Sequence, residues 1–291
     1  MRAYLPAYEI KTPKSLGEVL MTFDREPGAW RPFAGGTDLM VLFEAGKLLH
    51  KKFVNIWGLK ELQGIEVASD HVKIGALTTY SQLQAHSTLK TDYPMLCRAA
   101  FETGAIAIQN RGTIGGNIAN ASPAADSPPA LLTYGAELEL VSSQGSRWVS
   151  YDAFHTGYKT TVMKPNELIK AVKIARPPKG STHYYRKVGT RKAQAISKIC
   201  FAGLASLQAD RIADVRMTLG SVAPTALRCT KTEAVLRGQI LNAALVQQAR
   251  QTLQSEVAPI DDIRSTREYR LNVTLNLLEE FLRNVELDHQ T

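Results

Sequence analysis

The segment Gln109–Pro129, QNRGTIGGNIANASPAADSPP, constrains this chain more than any other part of it. Its glycines, Gly112, Gly115 and Gly116, let the backbone approach a ligand closely, and bare N–H groups in such a turn form a concavity that suits phosphate. The hydroxyl and amide side chains between them add hydrogen-bond donors and acceptors. Glycine, asparagine, serine and proline are also common turn residues, so a polar surface loop is the competing interpretation.

A second glycine turn lies at Phe33–Leu39, FAGGTDL, where it opens a predicted helix. Two such turns favour a long ligand that is anchored through phosphate. The chain has no G-x-x-x-x-G-K-[ST] motif and no G-x-G-x-x-G after a strand, which argues against a P-loop nucleotidase and an ordinary Rossmann site. We therefore predict that the two turns clamp a pyrophosphate between two subdomains.

Residues 1–58 predict a small parallel βαβ lobe. Its helices begin after Ser15, which opens a capping box with Glu18, and at Asp38. Its strands are predicted at Tyr8–Ile10, Trp30–Phe33 and Phe53–Trp57. The ligand end of such a unit is where a strand meets a helix, which places it at Gly35 and Gly36.

Residues 59–177 predict a second lobe with a mainly antiparallel sheet, because strand-rich segments here have few crossover helices. Helices are predicted from Thr79 to about His86 and from Pro94 to Thr103, and the stretch Gln109–Pro129 is predicted as a long loop. The strands are predicted at Val72–Gly75, Glu137–Val141, Arg147–Val149 and Glu167–Ile174.

The proline pair Pro177–Pro178 predicts a domain boundary, so that residues 1–177 form one domain and residues 178–291 another. The second domain is predicted to hold two paired strands and otherwise helices, which makes the whole chain α+β. The strands are predicted at Ile199–Leu207 and Val215–Val222, and the helices at Thr230–Leu236, Asn242–Leu253 and from Ser265 to about Val285.

The net charge of +8 makes nucleic acid a ligand to consider. The basic residues are dispersed, and no aromatic ladder or RNA-binding signature accompanies them. A solvated basic surface, or a face for an acidic protein partner, is therefore the favoured interpretation, and we predict no nucleic-acid ligand.

Metal, disulfide and membrane signals are weak in this chain. The cysteines, Cys97, Cys200 and Cys229, are far apart and predict neither a metal site nor a disulfide framework, and each is expected to act as a small buried hydrophobe. The histidines have no metal-binding spacing, and a structural role is favoured for His155. No apolar run approaches the ~18 residues of a membrane span, and the N-terminus lacks a secretory signal, so we expect a cytoplasmic protein without membrane contact.

Three segments together carry a family resemblance, AGGTDL at 34–39, IGALTT at 74–79 and NRGTIGGNIANASPAAD at 110–126. They resemble the FAD-binding medium subunits of the molybdenum hydroxylases, the family of xanthine dehydrogenase and carbon monoxide dehydrogenase. The resemblance extends over nearly the whole chain. It implies a two-lobed FAD-binding domain of the vanillyl-alcohol oxidase and para-cresol methylhydroxylase type, followed by an α+β C-terminal domain with a small antiparallel sheet and helices.

The resemblance also implies which residues hold the cofactor. Residues 31–38 would wrap the pyrophosphate through backbone N–H groups and the Thr37 hydroxyl, and residues 113–117 would form a second clamp on phosphate and ribityl. The implied cofactor-binding residues are Arg31, Pro32, Phe33, Ala34, Gly35, Gly36, Thr37, Asp38, Leu39, Thr113, Ile114, Gly115, Gly116, Asn117, Asn120, Ser122, Asp126, Ile169 and Lys187.

Three of these residues have specific implied roles. Asp126 would make a polar contact to the cofactor, and Ile169 would touch the flavin or adenine. Lys187, in YYRKVG, matches a lysine beside the flavin, where a cation would raise the flavin potential. A surface lysine is the alternative interpretation. Where many relatives have an acidic residue after Arg191, this chain has Gln194 and Ala195, which leaves the electron acceptor open.

By this resemblance the chain is an electron-transfer subunit without catalytic acid–base residues or a metal of its own. FAD would accept electrons from 2Fe–2S clusters on a small partner, after hydroxylation at a molybdopterin cofactor on a large partner. NAD or another acceptor would then be reduced, in a dimer of heterotrimers. A self-sufficient flavin oxidase or reductase of the same fold is the alternative, and a flavin-free nucleic-acid-binding protein is a third hypothesis.

Overall fold

A computed structural model describes residues 7–191 and 195–290 of the chain. Gln194, which marks the departure from the family pattern, lies outside these residues. The first lobe is a three-stranded parallel sheet in the order β1–β3–β2, which confirms the predicted βαβ unit. Its elements are β1 (Glu9–Lys11), α1 (Leu16–Arg25), β2 (Arg31–Phe33), α2 (Leu39–Glu44) and β3 (Lys52–Asn55).

The first lobe buries one face of α1, where Val19, Leu20 and Phe23 lie side by side and pack against Trp30 of the same lobe. Ser15 caps this helix by accepting a hydrogen bond from the Glu18 N–H at 3.3 Å. The same apolar cluster includes second-lobe residues such as Leu168, so the two lobes share part of one core.

The second lobe is a five-stranded antiparallel sheet in the order β4–β5–β10–β6–β7, as predicted. Helices cover one of its faces, and a two-stranded hairpin stands apart. The strands are β4 (Ile65–Val67), β5 (His71–Gly75), β6 (Glu137–Ser142), β7 (Gly145–Ser150), β8 (His155–Gly157), β9 (Thr160–Thr161) and β10 (Leu168–Ala175). The helices are α3 (Tyr80–Ala85), α4 (Ser87–Asp92), α5 (Pro94–Glu102), α6 (Ile106–Gln109), α7 (Ile114–Asn120) and α8 (Ser127–Thr133).

The prediction of a long loop over Gln109–Pro129 is wrong, because this stretch contains α7 and the start of α8. Ile114 and Ile118 lie one turn apart on α7 and are fully buried. Their tertiary packing stabilises a helix whose glycines and asparagines have low helix propensity, which is why composition alone indicated a loop.

The C-terminal part is a four-stranded antiparallel sheet in the order β11–β12–β13–β14, with helices packed on it. The sequence predicted the central pair of strands and missed the outer two. The elements are β11 (Thr182–Val188), β12 (Ile199–Gln208), β13 (Arg211–Gly220), β14 (Leu227–Arg228), α9 (Thr230–Leu236), α10 (Ala243–Glu256) and α11 (Arg267–Gln290). Within the described ranges, no helix is both long enough and apolar enough to cross a bilayer.

The predicted boundary at Pro177–Pro178 stays a prediction. Ala202 and Leu204 of β12 are buried in the core of the second lobe, and the Thr133 hydroxyl of α8 donates to the Ala202 carbonyl at 3.2 Å. The C-terminal sheet therefore closes one side of the second-lobe core while its other face covers α11.

Candidate functional site

The two glycine stretches meet at the junction of the two lobes. Gly35 packs so closely against Arg111 that a Cβ there would overlap the Arg111 carbonyl oxygen and lie 2.6 Å from its carbonyl carbon. A second contact joins the stretches, since the Asn120 side-chain amide donates to Asp38 Oδ1 at 3.2 Å. The prediction that both stretches lie at one place is confirmed.

The turn at residues 34–38, hereafter the first glycine turn, presents its amides to a ligand. It follows the carboxyl end of β2 and leads into α2, and Gly36 has a φ of +75° that favours glycine. Within the described part of the chain, none of its five backbone N–H groups donates a hydrogen bond. Consecutive free N–H groups of this kind form a binding concavity for an anion.

The segment Thr113–Asn117 differs, because four of its five backbone N–H groups already donate hydrogen bonds within the protein. The N–H groups of Ile114 and Gly115 donate to the carbonyls of Thr78 at 3.0 Å and Ala76 at 2.9 Å, and the next two amides bond back to Thr113. A Cβ at Gly115 would lie 2.6 Å from that of Ala76, so this glycine is needed for close packing. The expectation of bare N–H groups is therefore wrong here, and the segment can offer a ligand its side chains.

A buried ion pair lies between α8 and β11. Lys187 Nζ is 2.7 Å from Asp126 Oδ2 and donates to the Glu102 carbonyl at 2.8 Å. The side chains of Asp126 and Lys187 are only 10% and 6% exposed, so the interpretation of Lys187 as a surface residue is wrong. Burial raises the pKa of the Asp126 carboxyl to about 6, against the opposing effect of the Lys187 ammonium.

The second carboxylate oxygen of this pair, Asp126 Oδ1, is buried without a hydrogen-bond partner among the described residues, because the neighbouring Thr103 hydroxyl donates to the Ala99 carbonyl at 2.7 Å. A buried acceptor left unpaired costs about 1–3 kcal/mol. A hydrogen-bond donor from a bound ligand would remove that cost, which makes this oxygen the clearest polar contact point at the inner end of the site.

Hydrogen bonds connect the first glycine turn to the ion pair. α7 contacts the turn through Asn120, and it contacts α8 through the Ser127 hydroxyl, which donates to Asn117 Oδ1 at 2.5 Å. The Tyr185 hydroxyl of β11 then donates to the Asp126 carbonyl at 2.9 Å. The site is thus a continuous polar band from lobe one to the C-terminal sheet.

Three predicted residues lie at the margin of this band. Arg31 is exposed at the start of β2, at the opposite end of that strand from the glycine turn. Ser122 accepts a hydrogen bond from the Ala124 N–H at 3.3 Å, in the connection between α7 and α8. The Ile169 side chain is 3% exposed within the second-lobe core, which leaves little of it for a ligand to cover.

Sequence reasoning missed Trp57, which follows β3 and stacks on Arg111, with the guanidinium carbon 4.0 Å from the ring centroid. Arg111 stood inside the NRGT motif but was not among the predicted site residues. No local pattern indicates Trp57, because its role depends on a contact with a residue 54 positions away.

The other residues considered for chemistry are structural. His155 Nε2 lies 2.9 Å from the Ile118 carbonyl of α7, and burial lowers its pKa, which confirms the structural role. Cys200 and Cys229 are buried as predicted, while Cys97 is half-buried.

The residues present fit FAD, because the band offers free amides for a diphosphate at one end and an unpaired carboxylate oxygen for a polar group at the other. A smaller anion would use the turn and leave Asp126 Oδ1 unpaired. A ligand that uses both ends needs a diphosphate and a separate polar group, which favours a dinucleotide.

Comparison with known proteins agrees with this geometry. The FAD binding domain in molybdopterin dehydrogenase matches residues 6–177, and the CO dehydrogenase flavoprotein C-terminal domain matches residues 183–285. The chain is 32% identical over 253 residues to a xanthine dehydrogenase FAD-binding subunit of Escherichia coli O157:H7, with 86% of each chain covered. It is 27% identical over 265 residues to the carbon monoxide dehydrogenase medium chain of Hydrogenophaga pseudoflava, with 91% of this chain and 92% of the relative covered.

Solved structures show the same fold. Carbon monoxide dehydrogenase from Hydrogenophaga pseudoflava lacking the Mo-pyranopterin moiety superposes with a TM-score of 0.93 at 26% identity, covering 97% of this chain and 98% of that chain. Quinoline 2-oxidoreductase from Pseudomonas putida 86 superposes with a TM-score of 0.90 at 25% identity, covering 98% of this chain and 99% of that chain. The chain therefore belongs to the molybdenum hydroxylase family, as an FAD-binding electron-transfer subunit of oxidoreductases of the xanthine dehydrogenase and CO dehydrogenase type.

Proposed function

We propose that this chain binds FAD without a covalent bond, with the diphosphate on the first glycine turn and the isoalloxazine end beside Asp126 and Lys187. The observations that carry the proposal are the five free backbone N–H groups at residues 34–38 and the unpaired Asp126 Oδ1. Between them lies α7, which bonds Asp38 through Asn120 and Ser127, the neighbour of Asp126, through Asn117. The remaining residues implied by the family resemblance would surround the same cofactor.

Bound FAD would supply the exchange of electrons. The protein residues would bind and orient the cofactor and set its potential. The ion pair is central to the last task, because Asp126 offsets most of the positive potential that Lys187 would otherwise place near the flavin.

We propose further that the chain assembles with a large molybdopterin-binding subunit and a small 2Fe–2S subunit, as a dimer of heterotrimers in the cytoplasm. NAD is the proposed acceptor of the electrons. The medium-chain names of the relatives support a multi-subunit enzyme, and nothing in this chain selects the substrate of the large partner.

The purified chain is expected to take up FAD and become yellow, with bound flavin measured by absorbance after gel filtration. Titration can be followed by tryptophan fluorescence, because Trp57 stacks on Arg111, whose backbone contacts the first glycine turn. FMN, which lacks the diphosphate bridge and the adenosine, should bind at least tenfold more weakly, because it cannot fill the turn and the ion-pair end together. Failure to bind FAD after refolding in its excess would refute the proposal, and equal affinity for FMN would refute the assigned diphosphate site.

A further inference from the structure

Arg111 is placed where a diphosphate on the first glycine turn would need a positive charge. Its carbonyl is packed against Gly35, so its backbone borders the turn directly. Its side chain reaches Trp57, which follows β3 at the same end of the parallel sheet, and the Ile56 N–H donates to the Phe33 carbonyl immediately before the turn. The backbone of Arg111 therefore contacts the turn, and its guanidinium lies against Trp57, at the end of the parallel sheet where the turn begins.

The guanidinium is held in position without an acidic partner. Among the residues that the structure describes, no carboxylate forms an ion pair with Arg111, and its side-chain N–H groups make no hydrogen bond. Stacking on an indole restrains the plane of a guanidinium while its N–H groups stay free at the edge. Trp57 is itself restrained, since its N–H donates to Asn55 Oδ1 at 3.1 Å and its carbonyl accepts from Gln63 at 3.1 Å.

The first glycine turn can supply backbone dipoles but no full positive charge. Its residues, AGGTD, include no base, and its one ionisable side chain is the carboxylate of Asp38. A diphosphate carries two negative charges that five amides solvate only in part. A planar fork of free N–H donors beside the turn would complete the site, because guanidinium binds phosphate oxygens in pairs.

We propose that Arg111, positioned by stacking on Trp57, is the charged ligand of the FAD diphosphate. This inference rests on the proposed FAD function and adds a residue to it. It makes Arg111 a determinant of specificity for a dinucleotide, and Trp57 a positioning residue.

The test is FAD affinity of the full chain as a function of salt, for the wild type, Arg111→Met, Arg111→Lys and a matched control. Lys173→Met is the control, because Lys173 also stacks on a tryptophan, Trp148, at 4.5 Å, but on the second-lobe sheet. Arg111→Met should weaken FAD binding roughly 10- to 100-fold at low salt, as expected for lost charge-assisted hydrogen bonds. Arg111→Lys should lose less FAD affinity than Arg111→Met, and Lys173→Met should bind FAD with the affinity of the wild type.

The salt dependence of FAD affinity distinguishes a charge contact between Arg111 and the diphosphate from a purely structural role of Arg111. Added sodium chloride should weaken FAD binding by the wild type and have little further effect on Arg111→Met, because the screened interaction is already gone. Binding of FAD by Arg111→Met within twofold of the wild type would overturn the inference. A loss of equal size at every salt concentration would also overturn it, since the contact would then be to an uncharged part of the ligand. If the wild type binds no FAD, the proposed function fails instead.

Discussion

Replacing Gly35 by alanine is expected to abolish FAD uptake. The new Cβ would overlap the Arg111 carbonyl oxygen. Because the atoms that it meets belong to the backbone of Arg111 and Gly112, no side-chain rotation can relieve the overlap. The first glycine turn and the NRGT segment would have to separate, and the free amides at residues 34–38 would no longer converge on one ligand. We expect affinity to fall by at least 100-fold, or about 3 kcal/mol, measured by flavin retention and by tryptophan quenching.

A helical glycine in the same lobe provides the control for this prediction. Gly17 lies on the exposed side of α1, and a Cβ there would meet only the Ser15 hydroxyl at 3.8 Å. Gly17→Ala should leave FAD binding unchanged and stabilise the protein by up to about 1 kcal/mol, because alanine is the better helix former. Normal FAD binding by Gly35→Ala would show that the junction of the two stretches is not where the diphosphate lies.

Replacing Lys187 by methionine is expected to produce the second large effect, a loss of stability that grows with pH. Removing one member of a buried ion pair leaves the other uncompensated, at a cost of about 3 kcal/mol or more. The folded pKa of Asp126 is already about 6, above its ordinary value, so folding favours the protonated carboxyl and stability falls as pH rises from about 4 to 6. Without Lys187 that pKa rises further, and the fall continues toward neutral pH.

Denaturant unfolding of the apoprotein at pH 5 and pH 8 measures this effect. The difference between the wild type and Lys187→Met should be small at pH 5 and large at pH 8. The double variant Asp126→Asn with Lys187→Met should recover much of the loss at pH 8, because neither side chain then buries a charge. A pH-independent loss would show that Lys187 contributes through packing alone.

The same pair gives a redox prediction with a defined sign. Asp126→Asn keeps the shape of the side chain and leaves the Lys187 ammonium without its negative partner, so the flavin midpoint potential should rise, on the order of 50 mV. Spectroelectrochemistry of the FAD-loaded chain measures it directly. A fall in potential, or no change, would place the isoalloxazine away from the pair.

Local patterns predicted the parts of the fold in which one face of an element is buried. α1, with Val19, Leu20 and Phe23, and the strand β6 carry clear sequence periodicity, and their prediction succeeded. The prediction for α7 failed, because this helix of glycine and asparagine is stabilised by the buried contacts of Ile114 and Ile118. Those contacts are made with residues that are distant in sequence, so the local sequence does not show them. β11 was missed for a related reason, since Tyr184 is buried against the distant Phe281.

The sequence predicted where the candidate site lies, but it did not predict the contacts that its residues make. Composition indicated that the glycines allow a close approach to another group. It could not distinguish whether that group is a ligand or another segment of the protein. Gly115 approaches Ala76, whereas the turn at residues 34–38 leaves its amides free. The pairing of Asp126 with Lys187 and the stacking of Arg111 on Trp57 join residues 61 and 54 positions apart, so only the fold reveals them.

The packing of β12 into the second-lobe core bears on how this protein could be divided. Ala202 and Leu204 fill a space beside α8, and the Thr133 hydroxyl depends on the Ala202 carbonyl for its hydrogen bond. Lys187, at the end of the proposed site, also comes from beyond the proline pair. A fragment that ends at the prolines would expose part of the second-lobe core and would keep Asp126 without Lys187. We therefore expect the two parts to be transferable between proteins only together.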